Sequence, residues 1–441
     1  VPVLSSPWRA PVVLAYATFV LAGLNAGVGG VLLPTLIGDY GVDMTTIGIT
    51  FFVSSAGFML AGSTTGPLLE RLGTRLSLAV AGGLYVISTL YMATRPPFAA
   101  FVAVQLVVGY GTGVLESVLN AYLAELPSAT TLLNRLHAFF GVGALLGPLL
   151  AAWTLTFLPW TAVWLVLALA CLPLLAGFLV AYPRRTADVA DALDASVKPG
   201  VPVPPAVPEP SVRPGAPSSE PSAKEEAPYP DPPVPSAGLL GSEPERSGLL
   251  TSVLRTPAVV LASVFLAVYV GLEISVGNWG FTFLVEEHAQ TGLTAGYIAS
   301  GYWLGLTLGR FLISPVATRV GLTAVGMTYV CLVGVTASTV LTWVAPGVVV
   351  ATAGFLLLGF FLGPVFPTAM AVVPTLTTAR LVPTAIGIMN GVSVIGGAAL
   401  PWLTGAIGQS VGIWTLMPAV VLLALLQLAL WRTIVARMAP A

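Results

Sequence analysis

Stretches of about twenty apolar residues recur along this chain, which is the length a helix needs to cross a bilayer core about 30 Å thick. Twelve can be counted. In the first half they lie near residues 11–37, 46–66, 74–94, 98–124, 137–158 and 162–182, and in the second near 257–284, 294–316, 323–344, 348–373, 382–407 and 412–434. Inside lipid each backbone donor and acceptor must be satisfied within its own segment or in a closed barrel, and barrel strands would show short alternating patterns. No such alternation occurs, so the expected fold is an all-α integral membrane protein with twelve transmembrane helices. Composition agrees, since 56% of the 441 residues are hydrophobic and 8% are charged, against about 25% charged in an average soluble protein. The first span is too long for a signal-peptide core and lacks a clear cleavage site, so it is read as a helix of the fold.

Several function classes drop out. A net charge of -1 leaves no basic face for nucleic acid. Cys171 and Cys331 lie within apolar runs with no CxxC or nearby histidines, which supports neither a disulfide scaffold nor a zinc site. His137 and His288 fall near span ends and read as solvated residues, so no metal or other cofactor is expected. No P-loop, HExxH or GxSxG occurs, and GYGTG at Gly109 to Gly113 sits in an apolar helix without a preceding strand, which suits close helix packing better than phosphate binding. An enzyme is therefore not expected; a monomer in the lipid bilayer with a small-molecule substrate is.

Residues 183–250 interrupt the spans with 16 of the 37 prolines and both lysines, Lys198 and Lys224. Such a segment buries too little apolar surface to offset its ordering entropy, so a disordered linker is expected between six-helix bundles at 1–182 and 251–441. Orientation follows from the arginines, because positive residues are retained on the cytoplasmic side of short loops. With both termini in the cytoplasm, Arg9, Arg71, Arg75, Arg135, Arg184, Arg185, Arg319, Arg380, Arg432 and Arg437 lie inside, and Arg95 alone lies in an outer loop. The outer loops carry Asp39, Asp43, Glu286 and Glu287. A multi-pass protein of the cell membrane is expected.

The halves repeat. An offset of 248 residues places Gly23-Leu24 on Gly271-Leu272, Gly29 on Gly277, Gly48 on Gly296 and Leu60 on Leu308, and it lays Gly66 to Gly73 over Ser314 to Gly321 with Pro, Arg and Gly retained. An offset of 250 brings Gly109 and Gly113 onto Gly359 and Gly363. Two parallel six-helix repeats joined by a long linker suit a rocking transporter with its substrate site between the halves.

With these features the chain resembles the major facilitator superfamily. GPLLERLGTR, Gly66 to Arg75, is similar to that family's loop motif G-x-x-x-D-R-x-G-R-R, with Glu70 for Asp and Thr74 for the first terminal Arg; the second copy around Arg319 is degenerate. The resemblance implies a gate in which Glu70, Arg71 and Arg75 lock the cytoplasmic side shut, with Gly66 allowing close approach and Gly73 and Arg319 completing the cluster. Leu115-Glu116, the run from His137 to Pro148, WLGLTLGR ending at Arg310, and GPVFPTAM from Gly363 look like the fucose and glucose symporter branch and its fungal and animal relatives. That likeness implies a proton- or sodium-coupled sugar carrier in which Glu116 handles the proton. Gly30 stands where the fucose carriers place a first-helix Asp.

Ionisable residues in a helix centre cost about 2.5 to 3.5 kcal/mol on insertion scales, which makes their presence a functional signal. Three stand out: Glu116, Glu273 and Arg310. Desolvation disfavours a carboxylate's charged form, so Glu116 and Glu273 are the candidates for proton coupling; pairing of either with Arg310 as a fixed internal ion pair is the plainer reading. Asn120 shares a helix face with Glu116, and Asn278 and Trp279 follow Glu273 closely. Together with Asn25 and Asn390 they are the candidate substrate contacts, and Arg310 joins the gating set. The expected function is proton-coupled uptake of a sugar or similar polar molecule. The alternative is an efflux antiporter for apolar or amphipathic compounds. GALLGP at Gly143 to Pro148 partly resembles the fifth-helix motif of antiporters, but Gln105 stands where proton-coupled drug exporters usually carry an intramembrane Arg.

Overall fold

The computed structural model describes residues 6–182, 243–345 and 347–438. All regular structure among them is helical: α1 (Ser6–Tyr40), α2 (Met44–Ile47), α3 (Ile49–Ala93), α4 (Phe98–Ala124), α5 (Ala129–Thr154), α6 (Thr161–Ala181), α7 (Glu243–Leu254), α8 (Pro257–Glu286), α9 (Gly292–Arg319), α10 (Ala324–Trp343), α11 (Val348–Leu362), α12 (Val365–Ala371), α13 (Val382–Val411) and α14 (Leu416–Val435), with short 3-10 turns between.

Ten of the helical segments are long and apolar enough to cross a membrane, and two local causes bring the number of spans to twelve. The segment Met44–Ala93 is two spans bent at Gly73, whose φ of 72° and ψ of 173° lie outside the helical region. Only glycine adopts a positive φ there without a Cβ penalty, and Gly321, its repeat equivalent (73 + 248 = 321), turns the chain after α9 at φ 74°. α9 is the further span. It is long enough but diluted by Arg310 and by many Gly, Ser and Thr residues. α11 and α12 form one span broken at Gly363-Pro364, where proline supplies no backbone donor.

The linker expected over 183–250 falls largely outside the described residues. Its last part is helical, because α7 begins at Glu243, and Val253 on that helix is fully buried. Apolar residues from Gly248 to Leu254 give α7 something to bury, which the proline count over the whole stretch obscured.

Within each half the helices meet through glycines, as small residues must allow where no water drives association. α1 packs on α5 with a Cβ position at Gly143 against Val20 O, and α8 packs on α13 with Gly396 against Ala267 O. Gly109 approaches Ser54 O of α3, and Gly359, its repeat equivalent, approaches Tyr302 O of α9. GYGTG and GALLGP are thus explained by packing.

The halves touch through α1 with α8, α2 and α3 with α13, and α5 with α9. These contacts run from the end that carries the α1–α2 turn to mid-span, where Gly141 of α5 meets Thr307 of α9. At the α1–α2 end Gln409 Oε1 accepts the Met44 N–H at 3.0 Å, the Trp402 ring lies 3.0 Å from the Cβ position of Gly48, and Gly296 meets Ala152. Asp43 caps α2 by accepting the Thr46 N–H at 2.6 Å, and that hydrogen bond holds its carboxyl below the ordinary aspartate range. Arg95, expected in an outer loop, is bidentate to Asp39 at 2.7 Å, and Trp160 Nε1 donates to the same carboxylate at 2.9 Å. Toward the opposite end, where α6 ends and α7 begins, Cβ positions at Gly62 and Gly66 of α3 and at Gly387 and Gly391 of α13 have nothing within 4 Å. The structure is closed at the α1–α2 end and open at the linker end.

Candidate functional site

Just inside the closed end, a cavity of about 220 Å³ lies between the halves. At roughly 30 Å³ per water it has room for about seven waters, or one small solute. α1 contributes Asn25, α2 and α3 contribute Ile47, Thr50 and Ser54, α4 contributes Gln105, α6 contributes Trp164, and α8 and α9 contribute Asn278 and Trp303. No charged side chain lines it.

Its closed wall is built where the repeat equivalents cross. Gly29 and Gly30 of α1 lie against Gly277 and Asn278 of α8, which are the same positions shifted by 248. A Cβ on Gly30 would run into Gly277 O and come within 2.8 Å of Asn278 O. The aspartate of the resembling carriers therefore has no room here in this conformation, which gives Gly30 a packing reason.

Asn25 and Asn278 are brought together in the cavity wall. Asn25 Oδ1 accepts from Tyr85 Oη at 3.2 Å, and Asn278 Nδ2 donates to Ile274 O at 3.1 Å. Trp279 is placed elsewhere. It is fully buried, gives its indole N–H to Pro401 O at 2.8 Å and stands edge-on to Phe51 at 6.2 Å, so it wedges the closure between halves instead of lining the cavity. The reason is helical: one residue beyond Asn278 the side chain has turned about 100° toward α13. Asn390 is exposed on α13, outside the cavity lining.

The intramembrane charges separate into a pair and a single group. Arg310 Nη2 lies 3.6 Å from Glu273 Oε1, and Arg310 Nε donates to Gly363 O at 3.4 Å. Tyr302 Oη donates to Glu273 O at 3.1 Å and Tyr269 Oη to Leu362 O at 3.1 Å, so the pair is held inside one half by α8, α9 and α11. Arg310, expected in the gate, is engaged there. Glu116 is half-buried on α4, and its carboxylate meets no ion-pair or hydrogen-bond partner among the described residues. Asn120 does bind it, though through the backbone: Asn120 Nδ2 donates to Glu116 O at 2.8 Å. His137 is exposed on α5, with Phe19 edge-on at 5.6 Å.

Gln105, Thr112 and Glu116 lie on one face of α4, because separations of seven and eleven residues are close to two and three whole turns. Since Gln105 lines the cavity, that face carries a polar track about 16 Å toward the linker end, to Glu116. The spacing was readable in the sequence; Thr50, Ser54, Trp164 and Trp303 carried no comparable signal. At the linker end, Glu70, Arg71 and Arg319 are exposed, Arg75 is half-buried, and none of the four makes an ion pair with a described residue. The close approach expected at Gly66 is absent in this conformation because the halves are apart there.

Two repeated helix bundles that enclose a small central cavity, closed at one end and open at the other, define a membrane transporter of the alternating-access kind. The family model described as Major Facilitator Superfamily matches residues 14–288, and the chain belongs to that superfamily. It is a multi-pass membrane transport protein and not an enzyme. Bypass of stop codon protein 6 of Saccharomyces cerevisiae is 28% identical over 91% of this chain and 78% of the yeast protein. Among solved structures, a bacterial homologue of the human lysosomal transporter Spinster, inward-facing and unoccupied, is similar with a TM-score of 0.69 at 14% identity, over 99% of this chain and 100% of that one. A D-xylose–proton symporter is similar with a TM-score of 0.68 at 14% identity, over 96% and 97% of the two chains.

Proposed function

We propose that this protein takes up a small, neutral, hydroxylated solute of the sugar class together with a proton, by rocking its halves about the central cavity. The observation that carries the proposal is the uncompensated Glu116. Of the three intramembrane charges, Arg310 and Glu273 neutralise each other, so the interior is left one proton short of neutrality. A proton on Glu116 removes that charge and lets the halves move without dragging an anion through the membrane. The cavity supplies amides, hydroxyls and indoles and no charged group, which suits a neutral solute with several hydroxyls.

The linker end is assigned to the cytoplasm, because the arginines gather there and Arg95 at the other end is paired with Asp39. The present conformation is then the inward-open one. Glu70, Arg71, Arg75 and Arg319, with Gly66 and Gly73, form the inner gate and find their partners when that end closes. Residues 183–242 act as a cytoplasmic tether between the bundles.

Glu116→Gln keeps size and hydrogen-bonding capacity but removes titration. In proteoliposomes it should abolish accumulation driven by a proton gradient while leaving exchange of substrate across the membrane intact. Unimpaired proton-driven accumulation in this variant would reject Glu116 as the coupling group. Accumulation driven by external sodium at fixed pH would replace the proton by sodium, and export of apolar compounds by the wild type would replace uptake by the antiport alternative.

A further inference from the structure

Three amides face the cavity, and in each of them the protein already uses one end. Asn278 Nδ2 is given to Ile274 O, which can only accept, so Oδ1 is the end left over. Asn25 Oδ1 is used by Tyr85, which leaves Nδ2. Gln105 Nε2 lies 3.6 Å from Met92 Sδ, a weak acceptor that orients the amide and leaves Oε1 free. Asn278 Oδ1 stands at the crossing of α1 and α8, 3.3 Å from the Cβ position of Gly29, where little room remains. Gln105 stands away from that crossing, on α4. It lies on the cavity face of α4 with Phe101 and Val108, and its Oε1 receives no hydrogen bond from a described residue and is not sealed within protein.

Water in the open cavity can donate to this oxygen, and a solute that displaces the water leaves it unpaired in a membrane interior, which is costly, so the site favours an occupant that brings a donor of its own. We propose that Gln105 is a specificity-determining residue whose side-chain oxygen accepts a hydrogen bond from a substrate hydroxyl. The inference rests on the uptake reading for its choice of a neutral hydroxylated solute, and it adds a requirement: the solute must present a donor to the α4 wall. Solutes that carry only acceptors there are rejected, because they leave Gln105 Oε1 unpaired. The same amide oxygen that lowers affinity for drugs without donors raises it for polyols.

Purified full-length protein would be screened by thermal shift against D-glucose, D-xylose, gallate and tetraphenylphosphonium, as wild type and as Gln105→Met, which keeps length and removes the acceptor. The unliganded melting temperature checks the fold of the variant, and Gln105→Ala replaces it if the Met variant does not fold. A donor-bearing solute should stabilise the wild type, and the variant should weaken its apparent affinity about tenfold. A deoxyfluoro sugar that lacks the responsible hydroxyl should bind both proteins alike. If gallate shows this pattern and the sugars do not, the sugar reading fails and the role of Gln105 stands. Equal affinity of both proteins for every binder, preference of the wild type for tetraphenylphosphonium, or failure of every donor-bearing compound to bind would overturn the proposal.

Discussion

The two ends of the inter-half interface are built from different chemistry. At the α1–α2 end the contact is one of shape: Trp402 against Gly48, Trp279 edge-on to Phe51, Gly30 against the backbone at Gly277, and, among the described residues, one polar latch from Met44 N to Gln409 Oε1. At the linker end the surfaces carry charge, with Glu70, Arg71 and Arg319 exposed and free of ion pairs among the described residues. Dispersion contacts vanish within an ångström or so of separation, whereas charge acts over several ångströms. A shape contact therefore holds only when fully seated. Charged groups can find one another before the surfaces meet, and they are solvated at little cost when apart. The difference teaches that the closed end is the one whose sequence tolerates no added atoms.

The largest effect is expected from adding atoms to that end. Gly30→Val would place a β-branched side chain into Gly277 O and the Asn278 backbone and prevent closure. Transport should fall to background, and a thiol reagent added from the α1–α2 side should label Thr50→Cys, a position that is 8% exposed here. The native cysteines, Cys171 and Cys331, are both buried and leave that assay a low background. Normal transport by Gly30→Val would show that the halves do not need this crossing.

A smaller effect of opposite sign is expected at the charged end. If the proposed gate uses Arg71 when the linker end closes, Arg71→Ala should lower the population of the conformation open at the α1–α2 end. Loss of one charge-assisted hydrogen bond of about 1.5 kcal/mol corresponds to about tenfold slower transport, with less labelling at Thr50→Cys and an unchanged melting temperature. Unchanged labelling and transport would reduce Arg71 to an anchor at the membrane surface.

The smallest effect is expected at the polar latch. Gln409→Ala removes one hydrogen bond in an exposed position, worth about 0.7 kcal/mol, and should raise labelling of Thr50→Cys about threefold without abolishing transport. A loss of transport as large as that of Gly30→Val would mean that the latch, and not the fit of backbones, holds this end.

The sequence by itself determined the spans, the two repeats, the family and the packing role of the glycines. Span length is fixed by bilayer thickness, and backbone satisfaction leaves only helices, so these features follow from local composition. The turn at Gly73 was legible as part of a loop motif, and Gly321 shows the same turn at the equivalent position. Glu116, Glu273 and Arg310 were legible as charges in apolar surroundings, because each is an exception to its own segment. Which of the two acids takes the arginine was decided only when α8, α9 and α11 met, since Glu273 and Arg310 are 37 positions apart in sequence and Glu116 lies on another bundle. Trp279 was drawn away from Asn278 by the same cause: neighbouring residues on a helix face different partners, and only the tertiary structure says which partner is cavity and which is α13. Trp164, Trp303, Thr50 and Ser54 are ordinary residues for membrane helices, so nothing local distinguished them. They line the cavity because six of the seven helices that line it contribute no more than a few residues each at one depth, and depth across several helices is a property of packing that no single segment encodes.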